Sequence, residues 1–270
     1  MNIKNLHIKS VSIGIDGVLT KVEMYYKKHF YFLPGTTPYT GFIDEGSLQG
    51  EIINGCKEGI WNEKYESDLV NDVIEEYGLY KHGCKEDKWI SYYSNRQIYQ
   101  QGKYRQGKRD CCWEFFYKTN FIEAWDLYTR KPKISNSLES KTHYKDGELA
   151  VFYEGYFPYG KSKEKVNYVN GINEGPYESY HENGQLKSMS NYVNGIEDGL
   201  YEVFFDNGKL KERGNHKNGE QDGIWEEYNV FNIIQRKCEF KNGKLDGQLF
   251  FFYENGQLKS MSNYVNGIED

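Results

Sequence analysis

YVNGIEDGLYEVFFDNGKLKERGN, residues 192–215, runs directly into HKNGEQDGIWEEYNVFNIIQRKCE (216–239) and FKNGKLDGQLFFFYENGQLKSMSN (240–263). Aligning the three gives a unit of 24 residues. The register extends backwards to units that open at Tyr168, Tyr144, Tyr104 and Tyr80, with a longer unit of 28 residues opening at Ile52. A self-similar unit of this length cannot bury a core alone, so neighbours must stack into an elongated array. The register is held by glycines and rings. Position 1 is Tyr80, Tyr104, Tyr144, Tyr168, Tyr192, His216 and Phe240, and position 4 is glycine from Gly55 to Gly243. Position 10 reads Trp61, Trp89, Trp113, Tyr153, Tyr177, Tyr201, Trp225 and Leu249, which collects four of the five tryptophans in one slot. Position 13 is again aromatic from Tyr92 to Phe252. Stacked ladders of rings along the array explain all three slots.

Each half-unit is a short run rich in Tyr, Phe, Trp and Val bounded by Asn-Gly or Asp-Gly, the chemistry of strands joined by tight turns in which both central residues take positive φ. Asn183-Gly184, Asn207-Gly208 and Asn255-Gly256 close one hairpin of each unit, and Asn170-Gly171, Asn194-Gly195 and Asn218-Gly219 open the next. The expected fold is all-β, an elongated single-layer antiparallel β-meander built from β-hairpins of about 24 residues. Residues 1–51 supply N-terminal strands and residues 52–270 form one continuous repeat domain, irregular at 66–79 and 128–143. Glycine at position 8 (Gly59, Gly175, Gly199, Gly223, Gly247) is expected to let a neighbouring ring approach the backbone; Cys111 and Val151 depart from it. Positions 10 and 13 differ in parity, which calls for a bulge or for two partly buried faces.

The pattern N-G-x-x-x-G-x-[YW]-x-x-[YF]-x-x-N-G-x-L resembles the variant MORN repeat of bacteria. The stretch Thr37-Pro38-Tyr39-Thr40-Gly41 is similar to a Pro-Tyr-Thr-Gly segment that precedes such arrays in the YwqK-like antitoxin family. The resemblance covers roughly residues 30–270 and rests on turn formers and ring positions, none of them catalytic. It implies a curved single-layer sheet that serves as an antitoxin or immunity protein by binding and occluding a toxin.

Composition suits a thin sheet: 25 tyrosines can each be half buried and half wet. No apolar run reaches the roughly 18 residues of a membrane span, and the N-terminal MNIKNLHIKSVSIGIDG breaks its apolar residues with His, Ser and Asp. A cytoplasmic location is expected, with the five cysteines as free thiols. No Cys/His cluster has zinc spacing, the six histidines are scattered, and no Ser or Cys stands in a nucleophile motif, so neither metal, cofactor nor enzymatic activity is expected. The acids beside turns, as in Glu197-Asp198-Gly199, are read as solvating them.

A net charge of −6 argues against direct nucleic-acid binding. Glu58, Glu63, Glu66, Asp68, Asp72, Glu75 and Glu76 crowd the segment where the unit grows by four residues, against only Lys57 and Lys64. Insertions in a repeat array gather on its binding surface, so these acids are candidates for capturing a basic partner such as a nuclease toxin. Trp125, Asp126, Tyr128 and Arg130, in the second irregular stretch, are candidate anchors. Residues 182–198 and 254–270 are identical, a copied module poorly suited to a unique epitope, and the final strand offers an edge for weak self-association. Two alternatives remain: a phage- or mobile-element-encoded inhibitor of a nuclease defence system, and a lipid-associated scaffold. The second would want the clustered bases seen only around Lys103–Arg109 and Arg130–Lys133.

Overall fold

The computed structural model describes residues 7–15, 18–27, 30–32, 39–45, 48–64, 74–118, 122–125, 132–134 and 137–270. Among these the chain is strand and turn with no helix. It divides into two compact units, Met1–Ser137 with Tyr144–Gly147, and Leu138–His143 with Glu148–Asp270. The division falls within and just after the second stretch where the sequence period breaks.

The first unit contains β1 (His7–Ile15), β2 (Val18–Lys27), β3 (Phe30–Phe32), β4 (Gly41–Glu45), β5 (Leu48–Ile53), β6 (Cys56–Lys64), β7 (Ile74–Lys81), β8 (Cys84–Tyr92), β9 (Ile98–Arg105), β10 (Lys108–Phe116), β11 (Ile122–Trp125) and β12 (Pro132–Ile134). Strands β4 to β10 form an antiparallel meander. β1 pairs with both β2 and β4, and β3 with both β2 and β6. The second irregular stretch makes a separate ribbon of β11 and β12. After β13 (Leu138–Lys145), the second unit continues with β14 (Glu148–Tyr156), β15 (Ser162–Val169), β16 (Ile172–Tyr180), β17 (Leu186–Val193), β18 (Ile196–Glu197), β19 (Gly199–Phe204), β20 (Leu210–Lys217), β21 (Glu220–Tyr228), β22 (Ile234–Lys241), β23 (Lys244–Phe252), β24 (Leu258–Val265) and β25 (Ile268–Glu269). From β15 onward each strand pairs antiparallel with the one before it, except that β19 pairs with β17, which also pairs with β18. The all-β hairpin meander expected from the period is what the chain adopts.

The two families of turn are not alike. Asn170-Gly171, Asn194-Gly195 and Asn218-Gly219 have positive φ at both central residues, the two-residue turn that matches strand twist. At Asn183-Gly184 only the glycine does (φ 89°). There Gly184 N donates to His181 O and His181 N to Gln185 O, while Asn183 Oδ1 accepts from Gln185 N. This is a three-residue loop, not the two-residue turn its dipeptide suggests. Asn207-Gly208 and Asn255-Gly256 repeat it. Arg96 (φ 69°) and Asn232 (φ 68°) occupy the same left-handed slot without glycine's freedom.

The rings do form ladders, but the rungs alternate. Trp61, Tyr80, Trp89, Tyr104 and Trp113 follow one another edge to face at centroid distances of 5.0–6.0 Å, so each position-1 ring is interposed between two position-10 rings. In the second unit Tyr201, His216, Trp225 and Phe240 repeat the order. Trp225 packs there with buried Cys238 and Leu249. Edge-to-face contact suits the ring quadrupole and is worth about 0.5–1.5 kcal/mol per pair beyond area burial.

Position 13 lies on the other face. Tyr156 and Tyr228 donate hydroxyl hydrogen bonds to Glu154 and Glu226, two residues earlier, at 2.6 and 2.9 Å, and Tyr180 does the same to Glu178. The sheet therefore carries rings on both faces. A bulge sits opposite position 13, with the register shifting at Ser179/Tyr180, Val203/Phe204, Glu227/Tyr228 and Phe251/Phe252.

Position 8 serves a different purpose from the expected one. A Cβ built on Gly175 or Gly223 meets nothing within 4 Å, so no ring approaches there. Those glycines have φ of 83° and 75°, and Asp87 and Cys111 adopt the same left-handed conformation in their units. Glycine is wanted for the backbone, at an irregularity where the strand gains two residues on its partner, as between Tyr168↔Asn173 and Val166↔Tyr177.

The close approach of ring to backbone occurs at position 23. Cβ atoms on Gly50, Gly78, Gly102 and Gly214 would lie 2.2–2.3 Å from the indoles of Trp61, Trp89, Trp113 and Trp225. Each indole is almost wholly buried and donates its N–H to a backbone carbonyl ten residues earlier, at 2.9–3.2 Å.

Candidate functional site

Successive repeats are tied together at the two-residue turns. In most of these turns the glycine N–H donates to the position-6 carbonyl of the unit before, as in Gly195 to Asn173, Gly219 to Glu197 and Gly243 to Gln221 at 2.8–3.0 Å. The preceding N–H of the turn donates to an acid at position 7: His82 to Glu58, Gln106 to Glu86, Asn194 to Glu174, Asn218 to Asp198 and Asn266 to Asp246. Acids such as Asp198 are therefore acceptors for a neighbouring repeat and do more than solvate their own turn. The Pro-Tyr-Thr-Gly segment plays the same part for the first repeat: Tyr39 O accepts from Gly55 N at 2.6 Å and Thr40 Oγ1 from Asn54 N at 2.8 Å. Tyr39, Thr40 and Gly41 stand where positions 6, 7 and 8 stand in a full unit, and Ile43, at position 10, is fully buried. Tyr39 to Ile43 thus stand as a partial repeat ahead of the first full unit.

The candidate acids of the first unit divide accordingly. Glu58 is the turn acceptor just described, and its Oε2 lies 3.8 Å from His82 Nδ1. Glu63 takes Lys57 Nζ at 2.5 Å and faces the Tyr80 hydroxyl at 3.5 Å. Glu76 pairs with Lys85 and accepts from Ser91 Oγ at 3.3 Å. Lys57 lies 4.4 Å above the Trp61 ring, Lys85 4.1 Å above Trp89, and the Arg109 guanidinium 4.3 Å above Trp113. Position 6 thus lays a cation on the ring ladder in three units, and Glu63 and Glu76 balance two of those charges. Glu75 is exposed at the start of β7. Trp125 closes β11 opposite Pro132. Glu66, Asp68, Asp72, Asp126, Tyr128 and Arg130 lie outside the described residues.

In the second unit one cluster of ionic groups is likewise paired within the chain. Glu226 accepts both Nε and Nη2 of Arg213 at 2.7 Å, the Tyr228 hydroxyl at 2.9 Å and Lys237 Nζ at 3.2 Å. Burial opposes its ionisation, but these hydrogen bonds outweigh it and hold its pKa below the ordinary glutamate value. Glu227 pairs with Arg236 at 2.5 Å. Burial, and then the charge of Glu227, raise the pKa of nearby Glu212.

Opposite the ring ladder the second unit leaves an apolar surface open. Val169, Ile172, Val193, Ile196, Leu200 and Ile224 are each 43–54% exposed. Val169 pairs across the turn with Ile172, and Val193 with Ile196. Cγ2 of Ile172 lies 3.1 Å from where a Cβ on Gly195 would stand, so the Val169/Ile172 and Val193/Ile196 pairs sit at adjacent turns, and Cγ2 of Ile196 lies 3.2 Å from that on Gly219. The fold does not require these side chains to be apolar. The slots of the Val/Ile pairs hold Lys217 and Glu220, then Lys241 and Lys244, in the following units, and Lys81 with Cys84 and Arg105 with Lys108 in the first unit.

Two signals were available in the sequence and easily overlooked. Every position-10 tryptophan has a glycine eleven residues before it, whereas Tyr153, Tyr177, Tyr201 and Leu249 have Thr142, Val166, Ser190 and Cys238. Positions 2 and 5 are both aliphatic only in the 24-residue units opening at Tyr168 and Tyr192, as Val169/Ile172 and Val193/Ile196, before Val265 and Ile268 repeat the motif in the copied module.

No curated protein matches the chain in sequence. The family described as MORN repeat variant matches residues 173–194, 197–218 and 245–266. Each match opens at position 6 and their offsets are one and two periods, so the family's repeat and the 24-residue unit are the same object. MORN repeats are in general protein- or membrane-binding modules. The turn-to-carbonyl ties and the alternating ring ladder recur from unit to unit, and three of these units, at residues 173–194, 197–218 and 245–266, are similar to the MORN repeat variant.

Proposed function

We propose that the protein is an antitoxin or immunity protein that binds a basic toxin, of nuclease type, and neutralises it by occlusion without turnover of its own. The observation that carries this reading is the open apolar face of the second unit, in slots where the fold accepts charge. A side chain that stability does not need to be apolar, exposed in a contiguous patch, marks an interaction surface. The net charge of −6 favours encounter with a basic partner. Co-expression with the neighbouring gene, followed by affinity purification and sedimentation, tests the proposal. A complex of about 1:1 stoichiometry and loss of the partner's toxicity are expected. Recovery of no protein partner, with hydrolase or transferase activity in the purified chain, refutes it.

A further inference from the structure

Resting on that reading, we infer that the partner docks through a basic amphipathic helix laid across the repeats of the second unit, over Val169, Ile172, Val193, Ile196, Leu200 and Ile224. The docking surface is thereby assigned to the turn side of residues 169–224; of the acids at 58–76, Glu58, Glu63 and Glu76 are held by partners within the chain. The copied module does not exclude this surface, because the patch draws only Val193 and Ile196 from it and takes the rest from unique repeats.

The chemistry of the occupant follows from what lies between the apolar rows. Along the strands, Glu174 stands between Ile172 and Pro176, and Asp198 between Ile196 and Leu200. Each gives one carboxylate oxygen to the N–H of the next turn, Glu174 Oε2 at 2.7 Å and Asp198 Oδ2 at 3.0 Å. The patch therefore reads apolar, anionic, apolar in the units opening at Tyr168 and Tyr192, and in the unit opening at His216 the acids Glu220 and Asp222 precede the apolar Ile224. A ligand must match it with apolar groups flanking Lys or Arg. A bare hydrocarbon surface leaves the carboxylates desolvated without a counter-charge, which is costly, and an anionic lipid headgroup meets charge of its own sign.

Spacing favours a helix. Two strands per unit advance about 9.6 Å along the sheet, and seven residues of helix advance about 10.5 Å. Over three units the mismatch grows to about 3 Å, which flexible lysine stems absorb. A helix with a base at every seventh residue and apolar residues on either side of that line sets its charges over the carboxylates and its apolar groups over the Val/Ile and Leu/Ile rows.

The test uses the full chain and a labelled synthetic helical peptide of about 20 residues, long enough for three units, built from Leu, Ala and Lys with lysine at each seventh position. Fluorescence anisotropy should report binding that weakens with salt. It should weaken by at least about tenfold in Val193→Ser/Ile196→Ser and be unchanged in Phe231→Ser, a loop-tip residue that is 74% exposed. The substituted side chains are surface groups, and circular dichroism verifies that each variant is folded. Undiminished binding in the double variant, equal binding of the same peptide with Glu for Lys, or capture of phosphatidylserine vesicles in preference to the peptide each overturns the inference. A toxin that co-purifies undiminished with the double variant sinks the assigned surface and leaves the antitoxin reading standing. Peptide binding without any toxin does the reverse.

Discussion

Replacing Gly214 with serine drives a side chain into the indole of Trp225, because the built Cβ lies 2.2 Å from a ring carbon. Trp225 is 4% exposed and wedged among Tyr201, His216 and Phe240, so the ring cannot swing away as the end of a flexible chain would. Overpacking of this kind costs about 1–3 kcal/mol. If the ring shifts, its N–H also loses the Asn215 carbonyl at 3.2 Å, about 1 kcal/mol more. Trp225→Tyr alone leaves a cavity worth about 2 kcal/mol, below the 3–5 of truncation to alanine. The pair together should cost clearly less than the sum, since Ser190 and Tyr201 are the native combination one unit earlier. A coupling of at least about 1 kcal/mol is expected from contacting residues. Urea unfolding followed by far-ultraviolet circular dichroism, on both single variants and the double, completes the cycle. Strict additivity, or a Gly214→Ser variant as stable as the parent, would show that the indole does not fill the space over the glycine.

Arg96→Gly relieves a left-handed arginine at a loop tip and should raise stability by about 0.5–1 kcal/mol, the conformational gain less the entropy glycine adds to the unfolded chain, read as a higher urea midpoint. Asp198→Ala removes the acceptor of Asn218 N–H and should lower stability by about 0.5–1 kcal/mol, with faster amide exchange at residue 218. Glu226→Gln should cost about 2 kcal/mol at neutral pH. Because the pKa of Glu226 is depressed on folding, its contribution is present above the unfolded glutamate value of about 4.3 and is lost as pH falls through the lower folded value, so parent and variant should converge in acid. Glu212 has the opposite sign. Its folded pKa is raised, so its contribution is complete below about 4.3 and is lost as pH rises through the folded value; Glu212→Gln should therefore be the more stable protein at neutral pH and indistinguishable in acid. A pH series of urea midpoints measures both.

The period, the strands and the two-residue turns were legible in the chain because they depend on local chemistry. Asn-Gly supplies positive φ wherever it occurs, and a run such as Tyr201–Phe204 is strand-forming whatever lies beside it. Locality also explains the errors. Asn183-Gly184 and Asn194-Gly195 are the same dipeptide, yet only the strand register around them decides which makes a three-residue loop. Position-8 and position-23 glycines look equivalent in sequence, but one is kept for its φ and the other for the indole above it. That second role pairs residues eleven apart on adjacent strands, and the bulges decide that they meet. The candidate site divides the same way. Acids could be counted from the sequence, but not that Glu58 caps a turn while Glu63 and Glu76 neutralise lysines laid on rings. The open Val/Ile surface was written in slots 2, 5 and 9 all along. It became a surface only when the pairing of neighbouring repeats placed those slots side by side, on the face that the ring ladder does not occupy.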